Sequence, residues 1–230
     1  MKVATANVKE TLDATKAGAA LDAVLATKPQ IVGLQEWRKG RASVLASRGQ
    51  VYRLPRLRKR LGRKPATSGY VFGYPLGGGP PVGVDAAWGE LLTVRTIRLA
   101  PGSKKVRPTL ATEAIIREHA TGLLHIVLNF HLLAHHDRAA YLAGWKIGRA
   151  KAIQWVDSWA GFTRWVFGDT NDHLMGLPPL TSCWQGNPLE PTLGRRTIDN
   201  IYGERKAASA HAFNTPSDHD AVVADYPEKG

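Results

Sequence analysis

Apolar and polar positions alternate over residues 2–8, which predicts a strand at the start of the chain. Residues 11–28 instead carry Leu12, Leu21, Val24 and Leu25 on one helical stripe and stop at Pro29, so a helix is predicted there. The run Ile31-Val32-Gly33-Leu34 predicts a buried strand, and strand, helix and strand in that order point to an α/β unit. Residues 91–99, 110–117 and 123–132 read as successive strands, and 165–168 as another. Residues 138–159 read as a helix with Leu142, Trp145, Ile153 and Val156 turned inward. Three further strands are predicted over 197–203, 207–213 and 221–226, while 70–81, rich in Gly, Pro and aromatics, reads as a loop. No linker divides about ten strands and two long helices, so residues 1–230 are read as one domain.

Composition narrows the class. The 230 residues are 43% hydrophobic and 22% charged, the balance of a globular chain with a sizeable core. No run approaches the roughly 20 apolar residues of a membrane helix. The N-terminus carries no signal-peptide core, so a cytoplasmic address is expected, and no obligate protein partner is evident. Cys183 is the one cysteine, which excludes an internal disulfide and a cysteine-built zinc site. Lys and Arg total 31 against 19 Asp and Glu, a formal charge of +12 that favours polyanionic partners such as nucleic acid or anionic lipid headgroups. The densest cationic stretch holds Arg53, Arg56, Arg58, Lys59, Arg60, Arg63 and Lys64 with no acid among them. It reads either as a solvated loop or as a track for phosphates.

Chemistry-bearing residues recur at the ends of predicted strands. Asn7 ends the first, Glu36 follows Gln35 at the end of the second, and His131 ends His-Ile-Val-Leu-Asn-Phe. Asp169 and Asn171 follow Trp-Val-Phe-Gly, Asp199 lies in Thr-Ile-Asp-Asn-Ile, and Asp218-His219 precede the last strand. Strand ends are where α/β sheets gather ligands, so these groups are expected to meet in one cleft. An oxygen-rich set with imidazoles and no thiolate suits a hard cation, Mg²⁺ with Mn²⁺ as the alternative. Each residue also has a plainer reading. Asn7, Asp169 and Asn171 could be turn residues, Asp199 a loop acid, and His135 and His136 solvated at a helix start, while His173, close behind Asn171, is a weaker candidate for the cleft.

The motifs Thr5-Ala6-Asn7-Val8, Leu34-Gln35-Glu36, Asn129-Phe130-His131-Leu132, Gly168-Asp169-Thr170-Asn171, Thr197-Ile198-Asp199-Asn200-Ile201 and Ser217-Asp218-His219 occur in that order. Together they resemble the endonuclease/exonuclease/phosphatase superfamily, the group of pancreatic-type deoxyribonucleases, along nearly the whole chain. The resemblance implies a DNase I-like four-layer α/β sandwich, with two packed mixed β-sheets flanked by helices. It also implies metal-dependent cleavage of phosphate esters.

By the same resemblance, Glu36 is the principal metal ligand, with Asn7 beside it and Asp218 as a second metal-site carboxylate. Asp169 aligns or deprotonates the attacking water, and Asn171 holds a phosphate oxygen. His219 contacts the phosphate and is oriented by Asp199, while His131 is the second histidine and Glu113 the carboxylate supporting it.

Residues 62–109 match the superfamily poorly, and that is where its members differ in substrate. With the charge, the reading is a nuclease acting on DNA, the basic run 53–60 binding its backbone. Two alternatives stay open: a phosphatase or phosphodiesterase acting on a phosphorylated small molecule or lipid headgroup, and a catalytically idle nucleic-acid-binding module on the same fold.

Overall fold

The structure is a computed structural model that describes residues 1–37, 39–52, 69–103, 106–134, 139–172 and 175–227. The basic residues Arg53, Arg56, Arg58, Lys59 and Arg60 lie outside the described residues, as do His135, His136 and His173.

In chain order the strands of the first half are β1 (Lys2–Asn7), β2 (Ile31–Gln35), β3 (Gly49–Tyr52), β4 (Tyr70–Gly73), β5 (Val82–Asp85), β6 (Gly89–Ala100) and β7 (Thr109–Glu118). The rest are β8 (Leu124–His131), β9 (Thr163–Asp169), β10 (Thr181–Ser182), β11 (Asp199–Gly203), β12 (Ser209–Phe213) and β13 (Ala221–Asp225). The helices are α1 (Ala14–Ala26), α2 (Ala42–Ala46) and α3 (Ala139–Ser158). One sheet runs β12-β13-β1-β2-β5-β4-β3 and the other β10-β11-β9-β8-β7-β6. Both are mixed: β1 pairs β2, β3 pairs β4 and β8 pairs β9 in parallel, and the other pairings are antiparallel.

Strand pleating sorts the side chains into layers. Val3, Ile31, Val127, Trp165 and Phe167 point between the sheets and form the central core. Their neighbours Ala4, Val32 and Leu34 point the other way, against Ala17, Leu21 and Val24 of α1. On the opposite outer face Ile126, Leu128, Phe130 and Val166 meet Ala152, Trp155 and Val156 of α3. Helix, sheet, sheet and helix are the four layers expected of a DNase I-like sandwich. The sheets approach closely at Gly33, where a Cβ would stand 2.2 Å from the Phe167 ring.

Some local expectations needed correction. Asp13 caps α1 through a 2.8 Å bond from the Lys16 N–H, so Leu12 lies ahead of the helix. On α3 Val156 is buried as expected, with Gly148, Ala152 and Trp155, and Trp145 and Ile153 pack partly buried against the same core, but Leu142 is exposed. The stretch 70–81 is not all loop, because Tyr70–Gly73 is hydrogen-bonded between β3 and β5.

Beneath the site the sheets are also joined by polar groups. Gln35 Nε2 donates to Thr5 Oγ1 at 3.0 Å and, across the sandwich, to Asn129 Oδ1 at 2.6 Å. Asn129 Nδ2 donates in turn to the Pro81 carbonyl at 2.8 Å. All three side chains are fully buried, so each needs the others to meet its hydrogen-bonding demand.

Candidate active site

Sheet register brings the strand ends to one edge. In the parallel pair β1–β2, Asn7 stands opposite Gln35, so Glu36 emerges beside it. In the parallel pair β8–β9, His131 stands opposite Asp169, and in the antiparallel pair β9–β11, Asp169 stands opposite Asp199. Strand β13 runs antiparallel to β1, so the loop entering it delivers His219 to the same edge. Ser217 ties that loop down, donating to the Asn7 carbonyl at 2.7 Å.

Backbone strain marks the edge. Glu36 and Asn171 adopt φ of +53° and +50°, left-handed values uncommon outside glycine. Gly168, just before Asp169, has φ +142°, and a Cβ there would fall 1.9 Å from the Phe130 carbonyl oxygen, so only glycine fits.

The Asn7 amide sits at the centre. Its Nδ2 donates to Glu36 Oε1 at 3.1 Å and to Asp169 Oδ2 at 2.9 Å. That fixes the orientation of the amide, and its Oδ1 is left buried with no partner. Glu36 Oε2 accepts the Glu10 N–H at 2.9 Å. Burial raises the Glu36 pKa, but His131, the Glu10 N–H, the Asn7 amide and His219 outweigh it and hold the carboxyl below its usual range. His131 lies between the two acids, with Nδ1 3.7 Å from Glu36 and Nε2 3.4 Å from Asp169.

Asp169 is buried, and its Oδ1 accepts the Asn171 N–H at 2.7 Å. Burial and the neighbouring Asp199 push its pKa up, against the pull of His131, His219 and that N–H. Asp199 Oδ2 lies 2.8 Å from His219 Nδ1, and Asp199 Oδ1 is a second buried atom without a partner. Burial alone would lower the His219 pKa, but the bond and charge of Asp199, then Asp169 and Asp218, raise it to about 9. Asp169, Asp199 and His219 each offer one potential ligand atom within 4.8 Å of the others. Asn171 Nδ2 donates to the Leu132 carbonyl at 2.7 Å.

Two expected members lie elsewhere. Glu113, on β7, does not support His131. It accepts Arg95 at 2.6 and 3.0 Å and the indole N–H groups of Trp155 at 2.7 Å and Trp159 at 3.2 Å, joining β6, β7 and α3. The carboxylates beside His131 are Glu36 and Asp169. Asp218 is outside the buried cluster as well; its Oδ2 pairs with Lys9 Nζ at 2.9 Å on the exposed rim.

Other residues at the site escaped sequence reading. The Glu10 amide is a backbone donor, and no pattern announces it. Thr192 Oγ1 accepts the N–H groups of Ile198 and Asp199, both at 3.1 Å, and Trp145 Nε1 donates to the Thr170 carbonyl at 2.8 Å. The site opens into a cleft of about 540 Å³ that is also lined by Tyr74, residues 78–80 and Arg107.

This arrangement can be set beside known structures. A Bacteroides thetaiotaomicron endonuclease/exonuclease/phosphatase family protein superposes with a TM-score of 0.72 at 12% identity, over 97% of this chain and 96% of that one. The chain has the endonuclease/exonuclease/phosphatase fold. A B. thetaiotaomicron mannosyl-6-phosphatase is similar at a TM-score of 0.70 and 12% identity, with 98% of each chain covered. D. rerio TDP2 complexed with a single-stranded DNA product is similar at a TM-score of 0.65 and 17% identity, with 97% of each covered. No protein-family model matches the sequence, and neither does any curated protein. Within this fold, no helix among the described residues is long and apolar enough to cross a membrane.

Proposed function

We propose that the chain is a divalent-metal-dependent phosphodiesterase and that its substrate is DNA. The observation that carries the reading is the Asn7 amide. Its N–H groups are committed to Glu36 and Asp169, so its buried carbonyl oxygen is unpartnered beside a carboxylate held ionised. Such an all-oxygen donor set fits a hard cation. Glu36 and Asn7 would hold it, Mg²⁺ or Mn²⁺. Bound there, the ion supplies positive charge against the phosphoryl and leaving oxygens.

The protein's own groups account for the rest. Water attacks phosphorus, Asp169 takes its proton, the ester P–O bond breaks, and solvent protonates the leaving oxygen. A buried carboxyl with a raised pKa is the stronger base for that transfer. Asp199 accepts a hydrogen bond from the Nδ1–H of His219, which orients the ring and keeps it cationic through neutral pH, with Nε2–H matched to a non-bridging oxygen. Asn171 keeps a second amide N–H for the same purpose, and His131 completes the rim.

Two observations support DNA. The chain carries +12, and the TDP2 neighbour is seen with a single-stranded DNA product. The mannosyl-6-phosphatase neighbour favours a second reading, a small phosphate monoester as substrate.

The test is cleavage of plasmid and linear DNA with Mg²⁺, Mn²⁺ or EDTA, by the native chain and Glu36→Ala, across a salt series. Metal-dependent cleavage, lost in the variant and with binding that weakens steeply as salt rises, is the expected result. Nicking of closed plasmid would identify an endonuclease. Inert DNA with hydrolysis of a sugar phosphate would select the second reading. Failure on both, without metal binding, would sink the enzyme reading.

A further inference from the structure

We propose that Arg41 is the positioning residue that aims Glu36 into the cleft. The inference rests on the hydrolase reading for its catalytic consequence, but its structural claim stands apart. Arg41 immediately precedes the short helix α2, and in sequence it belongs to a basic cluster that would pass for solvated surface. In the structure it is 5% exposed. Its guanidinium reaches the carbonyls of Val8 at 3.2 Å, Lys9 at 3.0 Å, Glu10 at 2.7 Å and Leu12 at 2.5 Å. Four carbonyls converging on one cation curl the chain after β1 around it.

That curl has a direct product. With the carbonyls of Val8, Lys9, Glu10 and Leu12 turned toward Arg41, the Glu10 N–H is presented to Glu36 Oε2 at 2.9 Å. Arg41 also reaches the residue that follows Glu36, its guanidinium carbon 6.0 Å from the centroid of the Trp37 ring. The Trp37 carbonyl is pinned by the Tyr74 hydroxyl at 3.0 Å. Glu36 needs such support, because φ +53° is costly for a residue with a side chain and persists only where its surroundings over-determine it. A planar guanidinium with five fixed N–H donors can satisfy several carbonyls at once. A lysine ammonium in its place would reach fewer of them in that plane.

Amide hydrogen exchange at Glu10, measured against Thr5 of β1 as a reporter of global opening, tests the structural claim. Arg41→Met is expected to accelerate exchange at Glu10 by at least ~10-fold over any change at Thr5, and Arg41→Lys to give a smaller acceleration in the same direction. Mn²⁺-dependent hydrolysis of bis(4-nitrophenyl) phosphate tests the consequence. Losing support around a metal-binding carboxylate is expected to lower kcat and raise the half-saturating Mn²⁺ concentration, each by ~10- to 100-fold, with KM for the diester little moved. Leu99→Ala, in the α3 layer, controls for destabilisation alone.

Glu10 exchange unchanged relative to Thr5 in both variants would overturn the proposal, whatever the protein hydrolyses. So would a loss of kcat in Leu99→Ala equal to that in Arg41→Lys at matched stability. Accelerated Glu10 exchange in a protein that neither binds Mn²⁺ nor hydrolyses the diester would uphold Arg41 as the support of Glu36 and sink the hydrolase reading instead.

Discussion

His219 Nδ1 lies 2.8 Å from Asp199 Oδ2, and the pair is buried at the edge where β9 and β11 meet. The carboxylate sets the tautomer of the ring and keeps it protonated, up to a pKa of about 9. A buried imidazolium facing a cleft is an anion-binding group, and its charge depends on Asp199.

This pair predicts a pH dependence of stability. The folded pKa of His219 is raised above the unfolded value, so its contribution is fully present below about 6.5 and is lost as pH rises through about 9. In EDTA, the melting temperature of the native chain should therefore exceed that of Asp199→Asn most at and below about pH 6.5. The gap should narrow toward pH 10. A gap that is constant or widening over that range would contradict the assignment. In the proposed reaction, the alkaline limb of the native pH–rate profile should move to lower pH in Asp199→Asn.

Removing the Glu36 charge should cost more than any other single change at the site. Glu36→Gln is expected to lower kcat by ~10²–10³-fold, the usual loss when one electrostatic contact to a transition state is removed. Its melting temperature should no longer rise on adding Mn²⁺. A variant that keeps the metal-induced shift would move the cation away from Glu36, toward the Asp169–Asp199–His219 cluster.

The buried Gln35–Asn129 bond predicts non-additivity. Asn129→Leu leaves Gln35 Nε2 and the Pro81 carbonyl short of a partner, a loss of ~1–3 kcal/mol. Replacing Gln35 by Leu as well should cost less than the sum of the two single changes, because the second removes a group the first stranded. Denaturant unfolding of the four-member cycle measures this, and strict additivity would show that the two side chains are not coupled.

Glu113→Ala separates stability from catalysis. The change strands the indole N–H groups of Trp155 and Trp159, so a destabilisation of at least ~1–3 kcal/mol is expected. The kcat of the folded protein should stay within about twofold of native, because Glu113 contacts no group at the site. A large drop in kcat at a temperature where the variant is fully folded would return Glu113 to the catalytic apparatus.

The sequence by itself determined the elements and the residues at their ends. Strand alternation and helical stripes are local properties, so Ile31–Gln35 was legible to the residue, and Asn7, Glu36, His131 and Asp169 stood out as polar groups closing apolar runs. The short strands Gly49–Tyr52 and Val82–Asp85 were not legible. Four residues are too few to show a period, and these strands exist because neighbours supply their hydrogen bonds.

Contacts between distant segments were decided by the tertiary structure alone. Nothing local distinguishes Glu113, held by an arginine and two tryptophans, from a carboxylate beside His131. Nothing in Lys39-Gly40-Arg41 tells a buried guanidinium from a solvated one, or says that Asp218 turns outward to Lys9 while its neighbour His219 turns inward to Asp199. A charged side chain finds its partner through packing and register across the sandwich, and those are properties of the assembled sheets rather than of any stretch of chain.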